Sequence, residues 1–308
     1  MSTSRSHSVQ ARLLNYSRER HENHNHTLTR FGIERLMYRL SRSPHVDRFV
    51  LKGAMLFVLW LEDSHRPTQD LDLLGLGEHS VDSLRRTFED VCDTPVEDDG
   101  IEFVKQKIEI EAIREAELYQ GLRVKIPGRL GNIRLHVSVD VGFGDIIVPD
   151  PKRSAFPVLL DLPHPEIKTY PKETVVAEKV DAIVLLGIHN SRMKDYYDLW
   201  TLSRQFPFDA VLLAKAIEST LKRRGRELPS PALSGLQDEF ANTPAKQTQW
   251  KAFLRRTVPG QVDRELGEVV SAIREFLAPV LESIARSKTP CLHWTPRGGW
   301  TMNTGEKP

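Results

Sequence analysis

Lys52-Gly53-Ala54 closes one apolar run, Phe49-Val50-Leu51, and opens another, Met55 to Leu61. That order predicts a strand, a tight glycine turn and a helix. Just downstream, Asp70-Leu71-Asp72 sets two carboxylates two residues apart in a stretch that reads as extended. On a strand, positions i and i+2 point to the same side. Two like charges on one face repel and are costly unless a cation lies between them. A divalent metal is the natural cation, and Mg²⁺, or Mn²⁺ in its place, takes a few carboxylates together with phosphate oxygens. The free N–H groups of the turn and of the following helix suit a triphosphate. A phosphate-cradling turn followed by a metal-holding Asp-x-Asp is the equipment of nucleotidyl transfer. The plainer reading of Gly53 is a turn that needs a positive φ. Thr68 can hydrogen-bond the turn or a nucleotide, or face solvent. Arg66 reads equally as a phosphate clamp or a surface charge.

Asp140 is the candidate third carboxylate. Ile133, Leu135, Val137, Val139 and Val141 alternate with Arg134, His136, Ser138 and Asp140, so the strand buries its valine face and Asp140 shares the other face with His136 and Ser138. A neighbouring strand would bring it beside Asp70 and Asp72 and complete a two-metal clamp. Asp145 reads as a turn residue beyond the strand end. Glu178 and Lys179 interrupt a helix that is otherwise apolar; a lysine there can stabilise charge on leaving phosphates, although the pattern alone favours the solvated edge of an amphipathic helix. In Ser191 to Trp200, Ser191 can cap a helix, and Lys194, Asp195 and Asp198 share a face, which is also what an ordinary helical ion pair would give. His21, His24 and His26 lack an acidic or Cys partner at ligand spacing and read as solvent-exposed. Lys222-Arg223-Arg224 with Arg226 reads as compensation of a helix C-terminus or as an RNA-backbone contact.

The elements that must position these residues follow from pattern. Residues 1–45 are rich in arginine and predict two helices in an N-terminal arm. Residues 46–150 predict an α/β core, with 81–93 helical and strands from 100 to 148, and Pro127-Gly128 and Gly131-Asn132 as turn signals. A proline-rich linker spans 149–171. The chain then turns helical, over 174–188, 191–203, 208–224, 250–256 and 265–286, in a domain of 151–287 that completes the active site, with 225–248 loop-like and a loosely ordered tail from 288 to 308. A net charge of +1 speaks against a protein that coats nucleic acid, though not against a local basic patch. Cys92 and Cys291 are the only cysteines and lie far apart, which fits a reducing cytoplasm and excludes a Cys-based zinc motif. No apolar run approaches the ~20 residues of a membrane span.

Four stretches carry a family resemblance: Phe49-Val50-Leu51-Lys52-Gly53, Arg66-Pro67-Thr68-Gln69-Asp70-Leu71-Asp72-Leu73, Ala177-Glu178-Lys179, and Arg192-Met193-Lys194-Asp195-Tyr196-Tyr197-Asp198-Leu199. In order and spacing the chain resembles the AbiEii/AbiGii-type nucleotidyltransferase toxins, MenT-like members included, over roughly 46–225. Ala54 departs from the second glycine or small hydroxyl residue usual after that glycine; a backbone-mediated cradle tolerates it. The resemblance implies an α+β fold of the DNA polymerase β-like nucleotidyltransferase type, a mixed sheet with a C-terminal helical domain. It implies transfer of a nucleoside monophosphate from an NTP with Mg²⁺, with the 3′ end of tRNA as acceptor, and an antitoxin partner in a toxin–antitoxin, phage-defence setting. Carried onto this sequence, Asp70 and Asp72 bind metal, and the strand alternation adds Asp140 to them. Lys179 contacts the nucleotide phosphates, and Asp195 is a further essential acid that binds metal or positions Lys179. Lys52, Gly53, Ala54, Arg66, Thr68, Arg192, Lys194 and Asp198 surround the nucleotide. The rival expectations are a protein or small-molecule acceptor, and a non-catalytic nucleotide-binding module.

Overall fold

The computed structural model describes residues 3–61, 66–77, 80–113, 121–227, 233–257, 264–296 and 298–302. The chain divides into two compact units, Met1–Asp145 with Pro151–Tyr170, and Ile146–Asp150 with Pro171–Pro308.

The first unit is a mixed sheet covered by helices. It opens with α1 (Thr3–Glu19) and α2 (His24–Arg42), continues with β1 (Phe49–Lys52), α3 (Met55–Trp60), β2 (Asp70–Gly75) and α4 (Val81–Asp93), and ends with β3 (Ile101–Phe103), β4 (Glu109–Ala112), β5 (Gly121–Leu130), β6 (Ile133–Phe143), β7 (Lys152–Ala155) and β8 (Glu166–Thr169). The strand order is β3-β5-β6-β2-β1-β8-β7, with β4 also on β5. β2 runs parallel to β6 and β1 parallel to β8, and the other pairs are antiparallel.

The alternation in β6 does what its pattern requires: Leu135, Val137, Val139 and Val141 are buried, while Ser138 and Asp140 face the other side half-buried. Helix α2 buries Phe31, Ile33, Leu36, Met37 and Leu40, and packs on β6. A Cβ on its Gly32 would come within 3.0 Å of Val137, so the glycine permits close helix–strand contact. The expected N-terminal arm is thus part of this unit's core. The helix is pinned at one end by Arg39, whose guanidinium forks onto buried Asp99 at 2.7 and 3.1 Å.

Two expectations fail here. The segment expected to be a linker supplies β7 and β8. Its prolines flank these short strands rather than interrupt them, so no ladder N–H is lost. Pro127-Gly128 does not turn the chain; both lie inside β5, and only Gly131-Asn132 closes the β5–β6 hairpin, with Leu130 opposite Ile133 and Gly131 at φ +58.

The second unit is mainly helical. Its elements are α5 (Lys172–Leu186), α6 (Met193–Gln205), β9 (Phe208–Asp209), α7 (Ala210–Arg223), α8 (Asp238–Asn242), α9 (Pro244–Thr257), α10 (Leu266–Ala285), β10 (Leu292–Thr295) and β11 (Gly299–Met302). α5 packs on α7, and α6 on α10. Helices α8 and α9 occupy part of the stretch expected as loop, and α6 starts after Arg192 with no cap from Ser191. The tail is not loose as far as 302: β10 pairs with β9 on one side and β11 on the other, and Trp294 and Trp300 pack on Phe276. The rest of that tail, 303–308, lies outside the described residues.

Candidate functional site

In the first unit the sheet brings the polar residues into line. Lys52 on β1 stands opposite Asp72 on β2, Asp72 opposite Asp140 on β6, and Asp140 opposite Arg123 on β5. Directly paired residues share a face, so residues spread over 88 positions of sequence form one transverse row. One rung along, Asp70 stands opposite Ser138. The reverse face of β2 carries Leu71 and Leu73, fully buried, which fixes the side to which both aspartates turn.

Gly53 joins the turn to this row. Its φ is +72, and a Cβ there would lie 1.9 Å from Asp72 Oδ2 and 2.5 Å from Asp72 Cγ. The Asp72 carboxylate therefore occupies the space that any side chain at position 53 would need. The turn and the Asp-x-Asp strand are built against each other. Gly53→Ala is expected to cost about 1–2 kcal/mol in left-handed backbone alone, and in addition to push the Asp72 carboxylate aside. Chemical denaturation together with a transfer assay would check this: activity should fall further than stability accounts for, and unchanged activity would mean that Asp72 need not sit where it does.

The other predicted nucleotide residues of this unit are placed as follows. Lys52 Nζ donates to Asp145 Oδ2 at 2.8 Å and lies over the Tyr170 ring at 5.4 Å, with little exposure. Asp145, whose sequence position reads as a turn, is a carboxylate partner of Lys52. Ala54 is buried at the start of α3, which has only six residues. Thr68 Oγ1 donates to the Asp70 carbonyl at 3.1 Å, bracing the entry to β2. Arg66 lies half-buried in the segment before that strand.

Asp140 is held by Arg123, one N–H on each oxygen: Nε donates to Oδ1 at 2.7 Å and Nη2 to Oδ2 at 2.6 Å. That hydrogen bond, more than any other influence, holds the Arg123 guanidinium above its usual pKa, with the charges of Asp140 and Asp70 adding to it and burial opposing it. Among the described residues no three His, Cys, Asp or Glu side chains converge as a metal set. Asp70 and Asp72 fit Mg²⁺ as a pair: hard carboxylate donors on one face, with backbone rather than side chain at Gly53 beside them.

In the second unit, α5 and α6 bring together Lys179, Asp195 and Asp198. Lys179 Nζ donates to Asp195 Oδ1 at 2.9 Å and to Asp198 Oδ2 at 2.7 Å. Both carboxylates are buried, at 3% and 1% exposure, and the lysine side chain is 13% exposed. The solvated-edge reading of Lys179 therefore does not hold; Asp198 is buried and pairs with Lys179, while Lys194 is exposed on the helix. Arg192 Nε donates to Asp195 Oδ2 at 2.6 Å, and the Arg192 backbone N–H donates to Asn190 Oδ1 at 2.8 Å. Burial alone would push the Asp195 carboxyl up, yet the charges of Lys179, Arg192 and Lys194 hold it below the usual carboxylate range. Both aspartates grip the lysine from α6.

Other candidates fall away. Arg224 and Arg226 are spent inside the unit: both donate to Asp181, a fully buried carboxylate on α5, with Arg224 Nη1 at 2.6 Å from it. Lys222 and Arg223 are exposed. His24 lies 3.3 Å from the Ser17 hydroxyl, and no metal set forms around the histidines among the described residues. No helix among the described residues is long and apolar enough to cross a membrane.

Against known proteins, residues 35–278 match the profile described as "Nucleotidyl transferase AbiEii toxin, Type IV TA system". No protein of curated function matches. Among solved structures, a crystal structure of a "putative nucleotidyltransferase" from H. pylori is similar at 11% identity and a TM-score of 0.45, over 82% of this chain and 93% of that one. The crystal structure of JHP933 from Helicobacter pylori is similar at 13% identity and a TM-score of 0.46, over 84% and 94%. Likenesses this loose add no weight to the profile match, which spans most of the chain.

Proposed function

The chain belongs to the AbiEii family of nucleotidyl transferase toxins from type IV toxin–antitoxin systems, and from that premise we propose that it moves a nucleoside monophosphate from an NTP to the 3′ end of tRNA, using Mg²⁺ held by Asp70 and Asp72, in a phage-defence setting with a cognate antitoxin. The observation that carries the reading is the interlock of Gly53 with Asp72: the missing Cβ is filled by the very carboxylate that a metal would use.

The acceptor hydroxyl attacks the α-phosphorus in line. A new oxygen–phosphorus bond forms as the bond to the β-bridging oxygen breaks, pyrophosphate departs, and the hydroxyl proton passes to solvent. When bound, Mg²⁺ would supply charge neutralisation at the triphosphate and a more acidic attacking hydroxyl. In the first unit, the Gly53 turn offers backbone N–H groups to phosphate oxygens, Thr68 steadies Asp70, and Lys52, held by Asp145, keeps the end of β1 fixed next to Asp72. In the second unit, Lys179 is the candidate phosphate-binding cation, with Arg192 and exposed Lys194 beside its two carboxylates. A lysine already held by two carboxylates loses little rotamer freedom when it meets a phosphate, which is how preorganised charge lowers a barrier.

The test is incubation of the purified protein with total tRNA and each α-labelled NTP. Label should appear at the tRNA 3′ end, with release of pyrophosphate, and vanish on chelation of Mg²⁺. Label on lysate protein instead of tRNA would move the acceptor; absence of pyrophosphate release with every NTP would leave a binding module in place of a catalyst.

A further inference from the structure

We propose that Arg123 is the resident counter-cation of Asp140, so that the metal is held by Asp70 and Asp72 alone and Asp140 acts only to position Arg123. This rests on the reading of Asp70 and Asp72 as the metal pair.

The argument begins with the hairpin. β5 and β6 are joined by a two-residue turn, and the ladder from Leu130–Ile133 runs without a break to Arg123–Asp140 and beyond. The two side chains therefore meet because the backbone register sets them opposite, on the same face. Their contact is a fork in which each Asp140 oxygen accepts one N–H, at 2.7 and 2.6 Å, the geometry in which guanidinium and carboxylate bind each other most strongly. The pair is partly shielded, with Arg123 32% and Asp140 18% exposed. The neighbouring acid does not compete for the guanidinium: Glu111, opposite Arg123 on β4, is taken by Lys125 at 2.9 Å. Asp140 in turn stands directly opposite Asp72, so an unbalanced carboxylate at 140 would raise the negative charge beside the metal pair. The arginine balances that charge and occupies one lone pair on each Asp140 oxygen.

Two consequences separate this arrangement from a three-carboxylate site. Removing the arginine should release Asp140 to the metal. Removing both members of the pair should leave the metal where it was. The experiment is titration of the full-length protein with Mn²⁺, followed by electron paramagnetic resonance without nucleotide, with a thermal melt for every variant. Asp70→Asn is expected to abolish binding. Arg123→Gln should tighten it by roughly tenfold, as expected from loss of one short-range positive charge in a half-shielded site. Arg123→Lys, which keeps the charge, should not tighten it. The double variant, Arg123→Gln with Asp140→Asn, should bind within about threefold of the wild type. The proposal is overturned if the double variant binds as weakly as Asp70→Asn, or if Arg123→Gln leaves the affinity unchanged. If Asp70→Asn itself binds like the wild type, the metal pair is misassigned, and that failure is visible separately from the behaviour at Arg123.

Discussion

Asp70→Asn is expected to abolish nucleotide transfer while the protein still melts near the wild-type temperature. Asparagine keeps the size of the side chain and the strand it stands on; Leu71 and Leu73 still bury the other face of β2. The substitution removes one of two anionic donors from a site that Asp72 alone cannot complete. Loss of one group aimed at transition-state charge costs about 10²–10³ in rate, and loss of a metal ligand should reach at least that. Steady-state transfer of α-labelled NTP, beside a thermal melt, reads both quantities. Full activity would remove Asp70 from the mechanism.

Lys179→Ala is the second large effect, and it should strike stability as well as rate. The lysine is the cation between two carboxylates that are almost wholly buried. Removing one partner of a buried charge cluster costs about 3–5 kcal/mol, because the remaining charges stay in a poorly solvating interior. Arg192 continues to serve Asp195, which places most of the burden on Asp198. Denaturant titration would register the loss. A catalytic role is separated from a structural one by a double variant, Lys179→Met with Asp198→Asn. It removes both charges and keeps most of the volume, so stability should return and transfer should not. Recovery of transfer along with stability would show that Lys179 only holds α5 to α6.

Much of this site was legible as residues, less of it as partnerships. The Asp-x-Asp strand and the β6 alternation declare their own faces, because a period of two is a local property. Gly53 signals a turn, but not that Asp72 fills the space of its missing Cβ; that depends on which strand lies beside β1. The pairing of Arg123 with Asp140 was within reach, since a hairpin closed at Gly131-Asn132 sets 123 opposite 140. It was obscured by Pro127-Gly128, which resembled a turn of its own. Asp145 and Asp181 were lost for another reason. A carboxylate looks the same in sequence whether solvent or an arginine satisfies it, and the partners of Asp181 lie more than 40 residues away. The same blindness made Arg224 and Arg226 look available to RNA. The strands in 151–170 were hidden by prolines that mark their ends.

The face on which Arg123 and Asp140 meet is decided by parity. A single residue gained or lost within either arm of that hairpin would rotate everything beyond it to the opposite side, sending the charges into the packing of α2 and the valines into water. Paired changes at the tip, one in each arm, would lengthen the ribbon and leave the chemistry untouched. Length variation among related chains should therefore gather at Gly131-Asn132 in even steps and avoid the stretch from 133 to 140, a pattern that sequence comparison alone could reveal.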